Sequence, residues 1–440
     1  MFCPGPVVNM FPGPPDMEDS PLIDDGTIRQ RGLQRGSSDR GSQSQVVEDA
    51  LRSELELDRM ARRSLFAWLM LIVFFVSIIT VLSFTDKHMA EPSLRKVYVV
   101  FRHGSRAPGF TYKNDPYNKD NEKYWPHGAG ELTAFGRIEA YDVGKRLRER
   151  YGAFVGDNYK AKEFRAYTTL IERTMMSAQL VLASFFPPTG YQEWNNQLNW
   201  QPVPVYPEEI VNATSGCSCP RFALEFKNNV KNLVPSDFGF ETEVGKILKE
   251  HSGEPDASPV SLFTRVWDTV YFQDRANLPI PDWLKPIYPE KMAKSAVRYL
   301  KLYLAGSRIQ ELLVQDPFGR AITKFFTESP RKMELHSLHD IHIMSHFMLL
   351  DIEYNSFPKP GSAIAIELHE KNGGEYIEVY YWPTPNEKFP IQMKMPCGMS
   401  CHISELIDRF KNFEVENYDE LCNDGDGSVP SHVLEFKLNI

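Results

Sequence analysis

Six cysteines in 440 residues are too few for the chain to be a small disulfide scaffold. An excess of positive charge is missing as well. The 49 Lys and Arg stand against 58 Asp and Glu, a net charge of −9, which argues against nucleic acid as a partner because that affinity rests on clustered cations. Nothing repeats at a fixed period, so solenoids and propellers are not supported. No lipidation motif is evident. Apolar residues, in contrast, are plentiful: 42% hydrophobic against 24% charged supplies a real core for one large domain or two ordinary ones and excludes a wholly disordered chain.

One long run carries no charge. Residues 65–84 read LFAWLMLIVFFVSIITVLSF, about 20 residues that at 1.5 Å per residue match a hydrocarbon core of about 30 Å. This predicts a transmembrane helix over 64–85, since a cleavable signal peptide would start within a few residues of Met1. Arg52, Arg59, Arg62 and Arg63 precede it, whereas Asp86, Lys87 and His88 follow, so the positive-inside bias places the N-terminus in the cytosol. The expected protein is thus a single-pass type II membrane protein with its C-terminal domain extracellular or in an endolysosomal lumen. The sequon at Asn212 and the five cysteines beyond the span fit export, and Cys3 is left cytosolic and reduced. Residues 1–63 form the cytosolic tail, rich in Pro, Gly, Ser and Gln up to about 45 and therefore expected to be disordered there. Its stretch from 46 to 63 reads as helical. A stalk over 86–94, a folded ectodomain over 95–422 and a tail over 423–440 complete the division.

Within the ectodomain, Lys96–Phe101 is a β-branched and aromatic run, hence a buried strand. Residues 132–151 have helical apolar spacing with Thr133 as N-cap, and a second helix is expected over Glu172–Phe185. Strands follow at 330–338 and 362–382, the latter split at Lys371-Asn372-Gly373-Gly374, a hairpin signal. Strands alternating with helices indicate an α/β domain. Residues 190–300, rich in Pro, Trp and Asn, read as an inserted lid.

Arg102-His103-Gly104-Ser105-Arg106-Ala107-Pro108 falls where the first strand ends, the place where open α/β sheets bind ligands. Two guanidinium forks beside one imidazole suit a tetrahedral oxyanion held next to a nucleophile. Gly104 permits a close backbone approach or a positive φ. A basic turn with a surface histidine is the plainer reading of Arg-His-Gly alone. Fixing five such residues at roughly one in twenty each, however, gives a chance match of about 10^-4 over this length. Phosphoryl transfer through a histidine also needs a further cation and an acid for the leaving alcohol. Arg173 and the pair His339-Asp340 are the candidates.

RHGSRAP, WPHGAGELTAFG, ERTMMSA, FFPPTG and LHD together strongly resemble the histidine acid phosphatases, in particular their prostatic and lysosomal branch, over about residues 95–422. The resemblance implies that His103 is the phosphorylated nucleophile, that Arg102, Arg106, Arg173 and His339 bind the phosphoryl oxygens, and that Asp340 protonates the leaving group. It further implies a phosphate monoester substrate, a mixed sheet flanked by helices with a smaller helical lid, and often a homodimer. Two departures stand out. The chain has Ser105 where those enzymes carry Asp, which bears on pH optimum or substrate preference. It also has Tyr167-Thr168-Thr169-Leu170 where they read Arg-Ser-Thr-Asp.

Cys397 and Cys401 are near enough in sequence for a local bridge, and the resemblance pairs Cys219 with Cys422. The family's third bridge would need cysteines at Phe272 and Ala363, and both are absent together. Cys217 is left over, free or intermolecular. His339, His342 and His346 share one helical stretch, but HIMSH lacks the Glu of HExxH, so neither metal nor cofactor is expected. His127 reads as a loop residue near the cleft, His336 and His369 as strand positions, and Trp194, Trp200, Trp267 and Trp283 as lid core.

An inositol-phosphate phosphatase or a phosphomutase of the same superfamily is the enzymatic alternative. The former would add cations for several phosphates, whereas removing the 8 basic and 11 acidic residues of 1–63 leaves 41 Lys and Arg against 47 Asp and Glu. A non-catalytic, membrane-anchored binding ectodomain is the alternative from another class. The presence of all six site residues argues against it.

Overall fold

The computed structural model describes residues 52, 59–60, 62–77, 90–208, 210, 219–237, 239 and 242–423. The chain divides into two compact units, 1–79 and 80–440. In the first, residues 62–77 are helical, and their apolar side chains, Leu65, Phe74 and Phe75 among them, are exposed. Among the described residues no helix is long and apolar enough to cross a membrane. Residues 78–85 of the expected span lie outside the described residues, as do Cys3, Asn212, Cys217, most of 1–63 and residues 424–440.

The second unit runs in order through β1 (Leu94–Arg102), α1 (Ala134–Val155), β2 (Phe164–Thr168), α2 (Glu172–Phe185) and β3 (Val205–Pro207). Five helices follow: α3 (Pro220–Asp237), α4 (Glu243–His251), α5 (Pro259–Arg275), α6 (Glu290–Ala305) and α7 (Arg308–Thr327). The chain then returns through β4 (Met333–Leu338), α8 (Asp340–Leu349), β5 (Ala363–Lys371), β6 (Gly374–Trp382), β7 (Ile391–Met393) and β8 (Cys401–His402). It closes with α9 (Ile403–Lys411) and α10 (Tyr418–Asn423).

This is a mixed α/β fold whose sheet has the order β3-β2-β4-β1-β5-β6-β7, with β8 also on β6. β1 is parallel to β4 and antiparallel to β5. Alternation along β1 explains its near-continuous apolar sequence, because successive side chains enter different cores. Tyr98 and Val100 join α7, α8 and α9 on one face. Val97, Val99 and Phe101 meet α1 and α2 on the other. The hairpin between β5 and β6 turns through Asn372 and Gly373 at φ 53° and 78°, the paired positive values that a two-residue hairpin turn favours. Thr133 caps α1 by accepting a hydrogen bond from Gly136 N.

Two expectations need correction. The segment expected to open the lid at 190 first supplies β3, the edge strand of the sheet, so the helical part begins at Pro220. Trp194 and Trp200 precede that edge and are 57% and 38% exposed, outside any core, with Trp194 Nε1 donating to Trp200 O at 2.7 Å. Trp267 and Trp283 do pack in the cluster built by α4, α5 and α6. His336 and His369 occupy β4 and β5, buried and bonded to Glu208 and Glu367.

α8 carries His342 and His346 into the interior, fully buried. Burial lowers His342 to about 3 and His346 to about 4. A free histidine titrates near 6.5, so below that pH the unfolded chain takes up protons that the native state refuses, and stability falls as pH drops toward 4. His346→Leu should make the slope of unfolding free energy against pH shallower in this window, by up to about 1.4 kcal/mol per pH unit. Urea unfolding at several pH values checks this, and an unchanged slope would mean that His346 titrates freely in the native state.

Candidate active site

β1 delivers Arg102 at its C-terminal end, and the chain then folds back over the first turn of α1. Two glycines make that contact. A Cβ on Gly104 would stand 2.0 Å from Gly136 O, and one on Gly136 would stand 1.8 Å from Ser105 O. Gly104 is therefore required for close approach and not for a positive φ. Glu139, one turn into α1, accepts from Ser105 N at 2.7 Å and pairs with Arg275, whose Nε donates to Ser105 Oγ at 2.6 Å. Ser105 thus faces this ion pair and does not line the cleft.

His103 is buried with Nδ1 2.8 Å from Gly104 O. A carbonyl oxygen only accepts, so Nδ1 carries the proton and Nε2 keeps its lone pair. Arg173 Nε donates to that Nε2 at 3.3 Å. The atom left basic is thus the one beside the cations.

Three guanidiniums converge here, each buried. Arg102 NH2 pairs with Asp340 Oδ2 at 2.8 Å, and its NH1 donates to Pro358 O. Arg106 pairs through both terminal nitrogens with Asp268, which also accepts from Gly109 N at 2.9 Å. Arg173 has its pKa lowered to about 9, by burial first and then by the charge of Arg106. Burial, followed by Arg173, also holds His103 and His339 well below the ordinary histidine value. Cations crowded out of water in this way are stabilised by an anion placed among them.

The His339 ring stands edge-on to that of His103, 5.4 Å between centroids. It is the N-cap of α8, and Asp340 opens the helix. All six residues expected from sequence are therefore brought to one place: Arg102, His103, Arg106, His339 and Asp340 line a cleft of about 100 Å³, and Arg173 reaches His103 from α2. Phe110, Phe263, Trp267, Phe272 and Phe357 wall the cleft.

Sequence reasoning missed Asp268, Glu139 and Arg275, which no local pattern marks, and it passed over Thr169. Of the segment Tyr167–Leu170, Tyr167 stacks on His336 and Leu170 is 76% exposed, while Thr169 Oγ1 lies 3.1 Å from His339 Nε2. Both expected disulfides are present, Cys219–Cys422 and Cys397–Cys401. At the position of a missing third bridge, the Phe272 ring lies 4.2 Å from Arg106 Cζ, a cation–π contact. His127 lines a second cavity with Trp125 and Arg275. Among the described residues no group of three or more His, Cys, Asp or Glu could hold a metal ion.

An α/β sheet whose neighbouring strands β1 and β4 end at two buried histidines, with three buried arginines gathered around them, defines the class of the histidine phosphatases. The family model of the histidine phosphatase superfamily (branch 2) matches residues 93–239. The prostatic acid phosphatase of Rattus norvegicus is 32% identical, over 72% of this chain and 86% of its own. The lysosomal acid phosphatase of Homo sapiens is 27% identical, over 78% and 83%. Among solved structures, the phytase from Citrobacter braakii superposes with a TM-score of 0.55 at 14% identity, over 74% of this chain and 99% of its own. A Hafnia alvei phytase in complex with myo-inositol hexakis sulphate gives 0.56 at 13%, over 75% and 99%. The phytases speak for the fold alone. The chain belongs to the histidine phosphatase superfamily, branch 2, and within it to the acid phosphatases, and it is an enzyme.

Proposed function

We propose that the chain is a membrane-anchored acid phosphatase that hydrolyses phosphate monoesters through a phosphohistidine on His103. The observation that carries this reading is the imidazole whose Nδ1 proton is tied to Gly104 O, leaving Nε2 basic amid three guanidiniums. Nε2 attacks phosphorus, the bond to the leaving oxygen breaks, and the protonated form of Asp340 supplies the proton that oxygen needs. Water then attacks the phosphohistidine and gives its proton to Asp340, which restores both groups. Arg102, Arg106, Arg173 and His339 hold the phosphoryl oxygens throughout. Helices α3 to α6 act as the lid.

The cleft also bears on substrate. Beyond the phosphate site its walls are aromatic, and its charged lining consists of Arg102 and Arg106 against Asp268 and Asp340. One phosphate on an apolar stem fits such a lining, and a substrate with several phosphates finds no further cations in it. This favours a phosphomonoesterase over the inositol-phosphate reading. Convergence of the six residues on one cleft favours an enzyme over a non-catalytic binding ectodomain. The exposed Trp200 and Tyr206, beside and on the edge strand β3, support a homodimer formed across that edge.

Asp340→Asn should slow turnover of alkyl phosphates by about 10^2 to 10^4, the range of a lost general acid. The loss should be smaller with p-nitrophenyl phosphate, whose leaving group needs little protonation. Equal losses on both substrates would assign Asp340 to organising Arg102 and leave the acid to be found elsewhere.

The anchor is the apolar run 65–84, part of it helical with exposed side chains. It places residues 1–63 in the cytosol and the catalytic domain, with a glycan on Asn212, outside the cell or in an endolysosomal lumen. Protease added to sealed microsomes should remove a tag at Met1 and spare the catalytic domain. The reverse pattern would overturn the topology.

A further inference from the structure

The neighbours of His339 dictate where its proton sits. Its Nε2 is 3.1 Å from Thr169 Oγ1, which is 2.6 Å from Thr174 Oγ1, which in turn is 2.7 Å from Ile171 O. Both threonines and the imidazole are buried. His339 Nδ1 is also buried and has no partner among the described residues.

Each hydroxyl has one proton to give, and a carbonyl has none. Thr174 therefore donates to the backbone, to Ile171 O at 2.7 Å with Thr169 O at 3.1 Å beside it, because donation to the Thr169 hydroxyl would leave its lone pairs facing both carbonyls. With that proton assigned, the contact between the hydroxyls needs the proton of Thr169. The contact between Thr169 and His339 then needs a hydrogen on Nε2. The direction of the whole chain is set at its carbonyl end.

We propose that Thr169 and Thr174 form a hydroxyl chain that holds the His339 proton on Nε2, so that Nδ1 is a bare acceptor and His339 clamps the phosphoryl group only after Nδ1 is protonated. Thr169 is then a positioning residue. The inference rests on the phosphatase reading, in which His339 contacts the phosphoryl oxygens. The proton comes from the P–OH of a singly protonated phosphate monoester, the form abundant in acid. Its transfer to Nδ1 gives a phosphate dianion against an imidazolium, with total charge unchanged.

The charged and titratable groups around His339 are Arg173 on α2, Arg102 and His103 at the end of β1, and His342 on α8, with Asp340 next in the chain and the Thr169 hydroxyl on Nε2. Burial, followed by Arg173, His103, His342 and Arg102, holds the ring's pKa well below the ordinary histidine value. A bound phosphate dianion reverses that balance, and the Thr169 oxygen stabilises the imidazolium from behind through Nε2–H.

The test compares Thr169→Val, which removes the hydroxyl at nearly constant shape, with Thr169→Ser, which retains it, in the full chain in detergent. Inorganic phosphate serves as competitive inhibitor of p-nitrophenyl phosphate turnover across the acid range. Thr169→Val should raise the inhibition constant for phosphate about 10- to 100-fold, the scale of a hydrogen bond lost from a charged group. The pH above which phosphate binding fades should also move down, because an imidazolium without its acceptor forms less readily. Thr169→Ser should restore both. Nitrogen-15 shifts of His339 in the free wild-type enzyme should report the Nε2–H tautomer, a readout independent of whether Thr169→Val folds.

A folded Thr169→Val with wild-type phosphate affinity and pH dependence, or a proton found on Nδ1 in the free enzyme, would overturn the inference while leaving the phosphatase reading intact. Loss of turnover in the wild type would instead strike that reading.

Discussion

The structure depends on one electrostatic constraint, the burial of three guanidiniums around a neutral imidazole at the end of β1. Isolated buried cations are costly, and the fold supplies counter-groups from distant parts of the chain. Asp340 from α8 meets Arg102, and Asp268 from α5 meets Arg106. Arg173 is buried beside them, and burial and the charge of Arg106 lower its pKa to about 9. A phosphoryl group completes the charge balance of the site. Affinity for an oxyanion is thus built into the folded state before any substrate arrives, as electrostatic preorganisation requires.

The scaffold holds that cluster by close packing. β1 is buried on both faces, so its end is fixed by two cores at once. The loop beyond it is pressed against α1 through Gly104 and Gly136, and Glu139 ties Ser105 N to the same helix. A basic imidazole nitrogen can therefore be aimed without a metal or a second base to orient it. The aromatic walls contributed by α5 and the loops near Phe110 and Phe357 give the same volume an apolar lining, and low-dielectric walls strengthen the charge interactions beside them.

Much of this was legible in the sequence because the decisive residues fall in short motifs. Arg102, His103 and Arg106 share one turn after an apolar strand, and Thr133, the β5–β6 hairpin and both helices flanking the first core follow local rules of capping, turn chemistry and periodicity. What escaped was set by topology. Asp268 stands 162 positions from Arg106, and Thr169 stands 170 from His339, so no local pattern could pair them. The same holds for Arg275, which donates to Ser105 Oγ across 170 positions. The tryptophans at 194 and 200 misled because a Pro- and Trp-rich composition reads as core, whereas the chain there runs along the outside toward an edge strand.

The central claim is that the phosphoryl group passes through the Nε2 of His103. Rapid quenching of the enzyme with a substrate labelled at phosphorus tests it most directly. The account predicts label bound to protein that is stable to alkali and lost in acid, mapped by peptide sequencing to His103, and absent from His103→Ala. Acid-stable label on Ser105, or label that persists in His103→Ala, would contradict it.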